Sequence, residues 1–244
     1  MKYIILIIAF FTLYSCNTGP DNSHIFKVEY KGALKNIMKK GDLSTHANLL
    51  DFQNKEHLYA LGAKTNLKGE ILIFDSQPYV SSVRDKSLGM SNSFEHEATL
   101  LVYASVPKWK SFDIPADVNS YEDIEKYIEE TAKNNGINTG EPFPFLMEGV
   151  VRWFDWHIVN WKMGDTEHSH RKHIYSGFNG KMFDQDINIL GFYSDSHKGV
   201  FTHHSLNTHL HFMMKDGSNA GHIDDIRVEE KVILKLPDVS GAED

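Results

Sequence analysis

The stretch Thr208-His209-Leu210-His211-Phe212, followed by Ala220-Gly221-His222, decides how this chain folds around its chemistry. Residues two apart on a β-strand point to the same face, so His209 and His211 share one face. The other face is mostly apolar and consists of Leu206, Thr208, Leu210, Phe212 and Met214. The pattern predicts a strand whose histidine face is free for chemistry.

A hairpin is predicted to bring a third histidine to this face. The segment Lys215-Asp216-Gly217-Ser218-Asn219 has strong turn composition. If it closes around Asp216-Gly217, His222 lies opposite His211, with Cβ atoms about 5 Å apart. Three converging imidazoles suit a zinc site with an open coordination position. The prediction depends on register, because a one-residue slip moves His222 to the other face.

The alternative is that these are ordinary surface or core histidines. The apolar opposite face and the third histidine across the hairpin favour metal ligands.

Composition limits the class of protein. The chain has 244 residues, enough for one large domain or two tightly packed subdomains. Its hydrophobic fraction of 41% and charged fraction of 24% are those of a globular protein. The net charge is −8 without a basic stripe, so nucleic acid is not expected as a partner.

The N-terminus resembles a bacterial lipoprotein signal, predicted over residues 1–16. An apolar run ends in Leu13-Tyr14-Ser15-Cys16, which resembles a lipobox with Cys16 as the lipidated residue. The polar residues 17–25 are predicted to be a tether. The alternative is an ordinary leader with a chance cysteine. After residue 16 no run approaches the ~18 apolar residues of a membrane span. We therefore expect membrane attachment through the lipid anchor only, on the extracytoplasmic side (periplasm or cell surface).

The remainder of the chain contains no other cysteine, so His, Asp and Glu must supply any metal ligands. Ten of the fourteen histidines lie between His157 and His222, which places metal chemistry in the second half.

The predicted elements indicate an α+β fold. We expect an N-terminal α/β subdomain (26–141) with a mixed sheet, and a C-terminal β subdomain (142–237) with a mainly antiparallel sheet and the metal site. Residues 238–244 form a tail. The expected strands and helices are a strand at 26–34, a helix at 45–52 capped by Asp42 or Ser44, strands at 70–75 and 97–106, a helix at 120–135 with a capping box from Ser120 and Asp123, and strands at 147–161, 188–193 and 226–236.

Four blocks of sequence resemble those of the zinc-dependent α-acetolactate decarboxylases and follow one another in the same order, over roughly residues 35–237. The specific block is His209-Leu210-His211-Phe212 with Gly221-His222, which matches the family's His-Leu-His-Phe…Gly-Gly-His, including the eleven-residue spacing. The three weaker blocks are Lys40-Gly41-Asp42-Leu43, Asn66-Leu67-Lys68-Gly69-Glu70 with Phe74-Asp75, and Phe143-Pro144-Phe145 before Gly149.

The resemblance implies site residues. The family's zinc ligands correspond to His209, His211 and His222, and its active-site glutamate to Glu70. Without the resemblance, Glu70 is interpreted as a solvated turn residue. The implied reaction converts 2-acetolactate to acetoin and CO2, with Zn²⁺ as cofactor. The oligomeric state is left open, with a homodimer as one option.

The chain departs from the family at one position. The family has an arginine eight residues after the glycine that corresponds to Gly149, where it would meet the substrate carboxylate. This chain has His157 there, which lacks the bidentate fork of a guanidinium. Arg152 and Arg171 do not fit the motif position, and no counterpart of the family's C-terminal glutamate is assigned.

The leading interpretation is a zinc-dependent carboxy-lyase of acetolactate decarboxylase type acting on 2-acetolactate, a small hydroxy-keto acid, with Glu70 and His157 as catalytic residues. One alternative is a zinc enzyme for a different hydroxy-keto or sugar-like acid. The other is a non-catalytic ligand-binding lipoprotein of the same fold.

Replacing Cys16 with serine should release the protein from membranes or block its processing, because no other feature predicts attachment. Fractionation of cells expressing wild type or Cys16→Ser measures this. Unchanged membrane association of the variant contradicts the lipoprotein interpretation.

Overall fold

The structure, a computed structural model, describes residues 20–229 and 231–240. The predicted signal peptide, Cys16 and the first tether residues lie outside this range, as do the last four residues of the tail. Within the predicted tether, Asn22 is buried, donates to the carbonyl of Gly136 at 3.3 Å and accepts from the Asn138 amide at 3.1 Å. No helix in the described part of the chain has the length and apolar character needed to cross a membrane.

The first sheet is built from the N-terminal strands. In spatial order it runs β1-β7-β3-β4-β5-β6, with β2 also paired to β7. Its strands are β1 Glu29–Lys31, β2 Ala47–Asn48, β3 Leu58–Lys64, β4 Glu70–Phe74, β5 Gln77–Arg84, β6 Ser87–Ser91 and β7 Glu97–Ser105.

The second sheet runs β10-β11-β12-β9-β13-β8, and β9 also pairs with β10. Its strands are β8 Trp109–Asp113, β9 Phe143–Ile158, β10 Phe178–Tyr193, β11 Thr208–Met214, β12 Ala220–Val228 and β13 Ile233–Pro237. The extra pairing means that β9, β10, β11 and β12 are hydrogen-bonded in a closed circuit.

Three α-helices and two short 3₁₀ helices complete the described fold. They are α1 Leu34–Lys40, α2 Tyr121–Asn134, α3 His170–Tyr175, and the 3₁₀ helices Leu49–Phe52 and Thr65–Leu67. One large apolar core includes residues of both sheets, among them Leu61 and Leu72 of the first and Phe154 and Phe212 of the second. β4 lies against β11 and β12, and this contact joins the two sheets at the site.

The α+β class and the antiparallel second sheet are confirmed, whereas the predicted mixed character of the first sheet is wrong. All its pairings are antiparallel. Two of these pairings, β4–β5 and β5–β6, have a local cause, since the two-residue turns Asp75-Ser76 and Asp85-Lys86 have positive φ at both positions. Such turns join neighbouring antiparallel strands directly.

Two early elements also differ from expectation. The predicted strand at 26–34 is only Glu29–Lys31, because Gly32 has φ +75 and packs so close to the Thr99 carbonyl that a Cβ would lie 2.1 Å from it. Helix α1 follows at once. The helix predicted at 45–52 is the short 3₁₀ helix from Leu49, and its cap is Asn48 rather than Asp42 or Ser44.

Later elements follow the prediction more closely. The strand predicted at 97–106 is β7, and α2 has the predicted Ser120–Asp123 capping box. The strand predicted at 226–236 is divided between β12 and β13. β8, which precedes the predicted boundary at 141/142, pairs with β13 in the second sheet.

Candidate active site

The histidine hairpin has the register expected from its sequence. His211 pairs with His222, Phe212 with Gly221 and Met213 with Ala220. The turn closes through the Met214 amide, which donates to the Asn219 carbonyl at 2.9 Å, and Gly217 takes the left-handed conformation with φ +71. Leu210 and Phe212 are buried on the opposite face. β4 of the first sheet packs against β11 and β12.

The three imidazoles converge on one point. Nε2 of His209 lies 3.1 Å from Nδ1 of His222, and the ring centroids are 4.9–5.4 Å apart. One nitrogen of each ring lies within 4.8 Å of the others. His209 Nδ1 and both nitrogens of the fully buried His211 have no hydrogen-bond partner among the described residues.

Burial gives these histidines the protonation state of metal ligands. It lowers the pKa of His209 to about 4 and holds the pKa values of His211 and His222 well below the usual range. Each imidazole is therefore neutral at pH 7 and offers a lone pair. Three neutral imidazoles that converge on one point fit a divalent metal ion with an open position.

Glu70 reaches the same point from the other sheet. It is the first residue of β4, after Gly69, where a Cβ would lie 1.9 Å from the Ser81 carbonyl. The Glu70 side chain is buried, not solvated: Oε1 accepts from the Val159 amide at 3.0 Å, and Oε2 lies 3.7 Å from His211 Nε2. Burial raises the pKa of Glu70 to about 7, although His157 and the Val159 amide oppose the shift.

His157 lies on β9, directly opposite His222 on β12. Its Nδ1 is 2.8 Å from Oδ2 of Asp224, and its Nε2 is 3.9 Å from Oε1 of Glu70. Burial by itself would lower the pKa of His157. The hydrogen bond and charge of Asp224, with the charge of Glu70, outweigh burial and raise it.

Asp224 is a site residue that the sequence interpretation missed. Its Oδ1 is buried without a hydrogen-bond partner, 3.7 Å from His170 Nε2 and 3.8 Å from His222 Nε2. It lies at a β-bulge between Ile223 and Asp225, a feature that changes the direction of nearby side chains. The signal in the sequence was its position two residues after His222.

Neither arginine near the motif replaces the family residue. Arg152 pairs with Asp184 at 3.0 Å and Glu229 at 3.5 Å, and the Arg171 guanidinium lies over the ring of Tyr175. Among the described residues, no arginine lines the cavity.

A cavity of about 880 Å³ opens onto the site. Its lining includes Glu70, His157, His209, His222 and Asp224, all buried or partly buried, and we call this part of the lining its inner end. The cavity is also lined by histidines of the segments that follow β9 and β10, namely His168, His170, His173, His203 and His204. Among these, His168 stacks on Trp161 with ring centroids 4.4 Å apart.

Comparison with known proteins identifies the family. The sequence profile of the alpha-acetolactate decarboxylase family matches residues 30–241. The chain belongs to this family. Among functionally curated proteins, none matches it significantly.

Solved structures with the same fold include two acetolactate decarboxylases. The enzyme from Bacillus subtilis subspecies spizizenii has a TM-score of 0.69 at 15% identity, over 86% of this chain and 85% of that one. The enzyme from Bacillus subtilis strain 168 has a TM-score of 0.66 at 14% identity, over 86% and 84%. A Staphylococcus aureus protein of unknown function, similar to alpha-acetolactate decarboxylase, has a TM-score of 0.65 at 17% identity, over 86% and 84%. At these identities the likeness shows the fold.

Metal content should depend on the hairpin histidines. We expect one divalent metal ion per chain, and His209→Ala, His211→Ala or His222→Ala should each lower the content sharply, because each removes one of three ligands. His203→Ala, which changes another cavity histidine, is the matched control and should keep its metal. Elemental analysis after dialysis measures this, and full occupancy in His211→Ala contradicts the site.

Protonation of His173, which lines the cavity, should destabilise the folded protein in acid. This buried side chain has Nε2 2.9 Å from His168 Nδ1 and packs edge-on against Trp161. Burial, with the charges of neighbouring histidines, lowers the pKa of His173 to about 4. In the unfolded chain His173 takes up a proton below about pH 6.5, whereas in the folded protein it does so only near pH 4. The free energy of unfolding therefore falls as pH falls from about 6.5 to about 4.

We expect His173→Gln to reduce the loss of unfolding free energy between pH 7 and pH 4 by about 1–3 kcal/mol. Thermal unfolding of metal-free protein across this range is the measurement, with the exposed His24→Gln as control. Identical pH dependence in wild type and His173→Gln contradicts the assignment.

Proposed function

We propose that this protein is a zinc-dependent carboxy-lyase that converts 2-acetolactate to acetoin and CO2. The observation that carries the proposal is the convergence of three neutral imidazoles on one point beside the buried carboxyl of Glu70. Membership of the alpha-acetolactate decarboxylase family supports the reaction class.

The residues that would hold zinc are His209, His211 and His222, since nitrogen ligands in a three-histidine set suit this ion. Bound there, zinc would polarise the adjacent hydroxyl and ketone oxygens of the substrate and stabilise the negative charge left by departing CO2.

Glu70 is placed to move the proton that the reaction needs. When the bond between the carboxylate and its carbon breaks, CO2 leaves and the electron pair stays on the substrate, which must then gain a proton at carbon. A carboxyl with a pKa near 7 is partly protonated at neutral pH and can donate that proton. The Val159 amide fixes Oε1 at 3.0 Å and so holds the donor in place.

His157 is a weaker anion ligand than the family's arginine. A protonated imidazole has two N–H donors, of which Nδ1–H serves Asp224 at 2.8 Å, while the Nε2 side faces Glu70. The substrate carboxylate therefore competes with two carboxyl groups for one histidine. This competition limits turnover of acetolactate.

We also propose an extracytoplasmic location through a lipid on Cys16. The support is the lipobox-like sequence and the position of the single cysteine. An exported enzyme would meet hydroxy-keto acids outside the cytoplasm.

An acetoin assay with zinc-loaded protein tests the function. Wild type should form acetoin slowly, and Glu70→Gln should form none above background because it cannot supply the proton. His157→Arg should raise turnover about 10-fold or more, as expected for one restored hydrogen bond to a charged group at ~1.5–3 kcal/mol.

Zinc content must be equal in the three proteins for this comparison. The double variant His157→Arg/Asp224→Asn tests whether Asp224 pairs with the new guanidinium. If it does, the double variant forms acetoin faster than His157→Arg. Rapid wild-type turnover that His157→Arg leaves unchanged means that this position does not limit the reaction.

A further inference from the structure

The charges around the cavity are separated by depth. The two acidic side chains that line it, Glu70 and Asp224, both lie at the inner end with the histidines. Its other charged lining residues are the lysines Lys35, Lys39 and Lys198, which are exposed and therefore mark the mouth of the cavity. In a chain of net charge −8, this mouth is cationic and contains no acidic lining residue in the described segments.

These three lysines, which we call the lysine rim, are held on a fixed frame. Helix α1 carries Lys35 and Lys39, and its first turn is bound to the segment that carries Lys198. The Leu34 amide donates to the Val200 carbonyl and the Lys35 amide to the Gly199 carbonyl, both at 2.7 Å. A Cβ built on Gly199 would lie 3.9 Å from Cβ of Lys35, so the two segments are in direct contact.

The lysine rim has exposed side chains without ion-pair partners. Within residues 20–229 and 231–240, no carboxylate lies within 4 Å of the ammonium groups of Lys35, Lys39 or Lys198. Elsewhere on the surface Lys172, Lys181 and Lys235 are paired with carboxylates. The positive charges of the lysine rim are therefore not neutralised by ion pairs among the described residues.

The size of the cavity adds a separate observation. At about 880 Å³ it is near the upper end of the ~300–1,000 Å³ range that holds drug-sized ligands. A five-carbon acid bound at the inner end leaves most of this space and the whole lysine rim without a ligand. His157, at the position of the family's arginine, already lies 2.8 Å from Asp224 and 3.9 Å from Glu70.

We propose that the preferred substrate is a longer 2-hydroxy-3-oxo acid whose acyl chain ends in a second anionic group, and that the lysine rim binds this group. The proposal rests on the proposed decarboxylation and adds the substrate class. The reacting carboxylate stays at the histidine centre, where its bond to carbon breaks, CO2 leaves and carbon takes a proton. The distal anion keeps its charge throughout and supplies binding energy and orientation that the missing arginine does not.

Four compounds test the proposal on zinc-loaded protein. They are acetolactate, 2-hydroxy-2-methyl-3-oxohexanoate as the neutral-chain analogue, 2-hydroxy-2-methyl-3-oxohexanedioate with a terminal carboxylate, and the same chain ending in a phosphate monoester. We expect kcat/KM for at least one dianion to exceed that of the neutral-chain analogue by about 10-fold, with the advantage falling at high salt. The better dianion identifies the group.

The variant Lys35→Gln/Lys39→Gln/Lys198→Gln should raise KM for that dianion about 10-fold and change KM for acetolactate and the neutral-chain analogue less than about 2-fold. Lys31→Gln/Lys86→Gln/Lys108→Gln removes the same charge from exposed lysines that do not line the cavity, and should have no such selective effect. Equal kcat/KM for dianions and neutral chain, or equal losses in both triple variants, overturns the lysine rim as a subsite.

Calorimetric binding of the same compounds separates this proposal from the reaction. If no compound releases CO2, the proposed decarboxylation fails, but a dianion that still binds about 10-fold more tightly, and loses this in the rim variant alone, supports the lysine rim. If acetoin forms from acetolactate and the dianions show no advantage, the reaction stands and the lysine rim fails.

Discussion

The site depends on a register that the second sheet enforces from both sides. His222 faces the other ligands only while it stays opposite His211, and a slip by one residue would turn it into the apolar core. Only three residue pairs join β11 to β12, too few to fix this alignment alone. However, β11 is also paired with β10 over seven residues, and β12 with β9, which in turn pairs with β10. Because the circuit closes, no strand can slip without moving the others.

The second constraint is electrostatic. The fold buries three neutral imidazoles beside two carboxyl groups. Burying such groups is costly unless each is hydrogen-bonded, paired with an opposite charge or bound to a ligand. His157 neutralises part of this charge through Asp224, while the unpartnered nitrogens of His211 and the free Oδ1 of Asp224 stay unsatisfied in the described residues. Buried polar atoms without partners lower the stability of a protein, and natural proteins keep them mainly at functional sites.

The predictable part of this structure is local in sequence. The turn composition at 215–219 and the spacing of His209, His211 and His222 predict the hairpin, and the Ser120–Asp123 box predicts where α2 begins. What was not predicted depends on distant contacts. The burial of Glu70 results from β4 packing against the hairpin. Asp224 belongs to the site because it contacts His157 on another strand. The strand expected before α1 was shortened by the approach of Gly32 to Thr99, which no local pattern records.

The positions of the site residues along the chain separate two stages of assembly. His209 and His222 are 13 residues apart, so bringing them together requires the closure of only a short loop. The contact between His157 and Asp224 spans 67 residues, and that between Glu70 and Val159 spans 89, so both require the closure of much longer loops. In the unfolded chain the hairpin histidines can therefore approach one another at a lower entropic cost than Glu70 and His157 can approach their partners. A metal that already binds the unfolded chain stabilises the native state less than its affinity suggests.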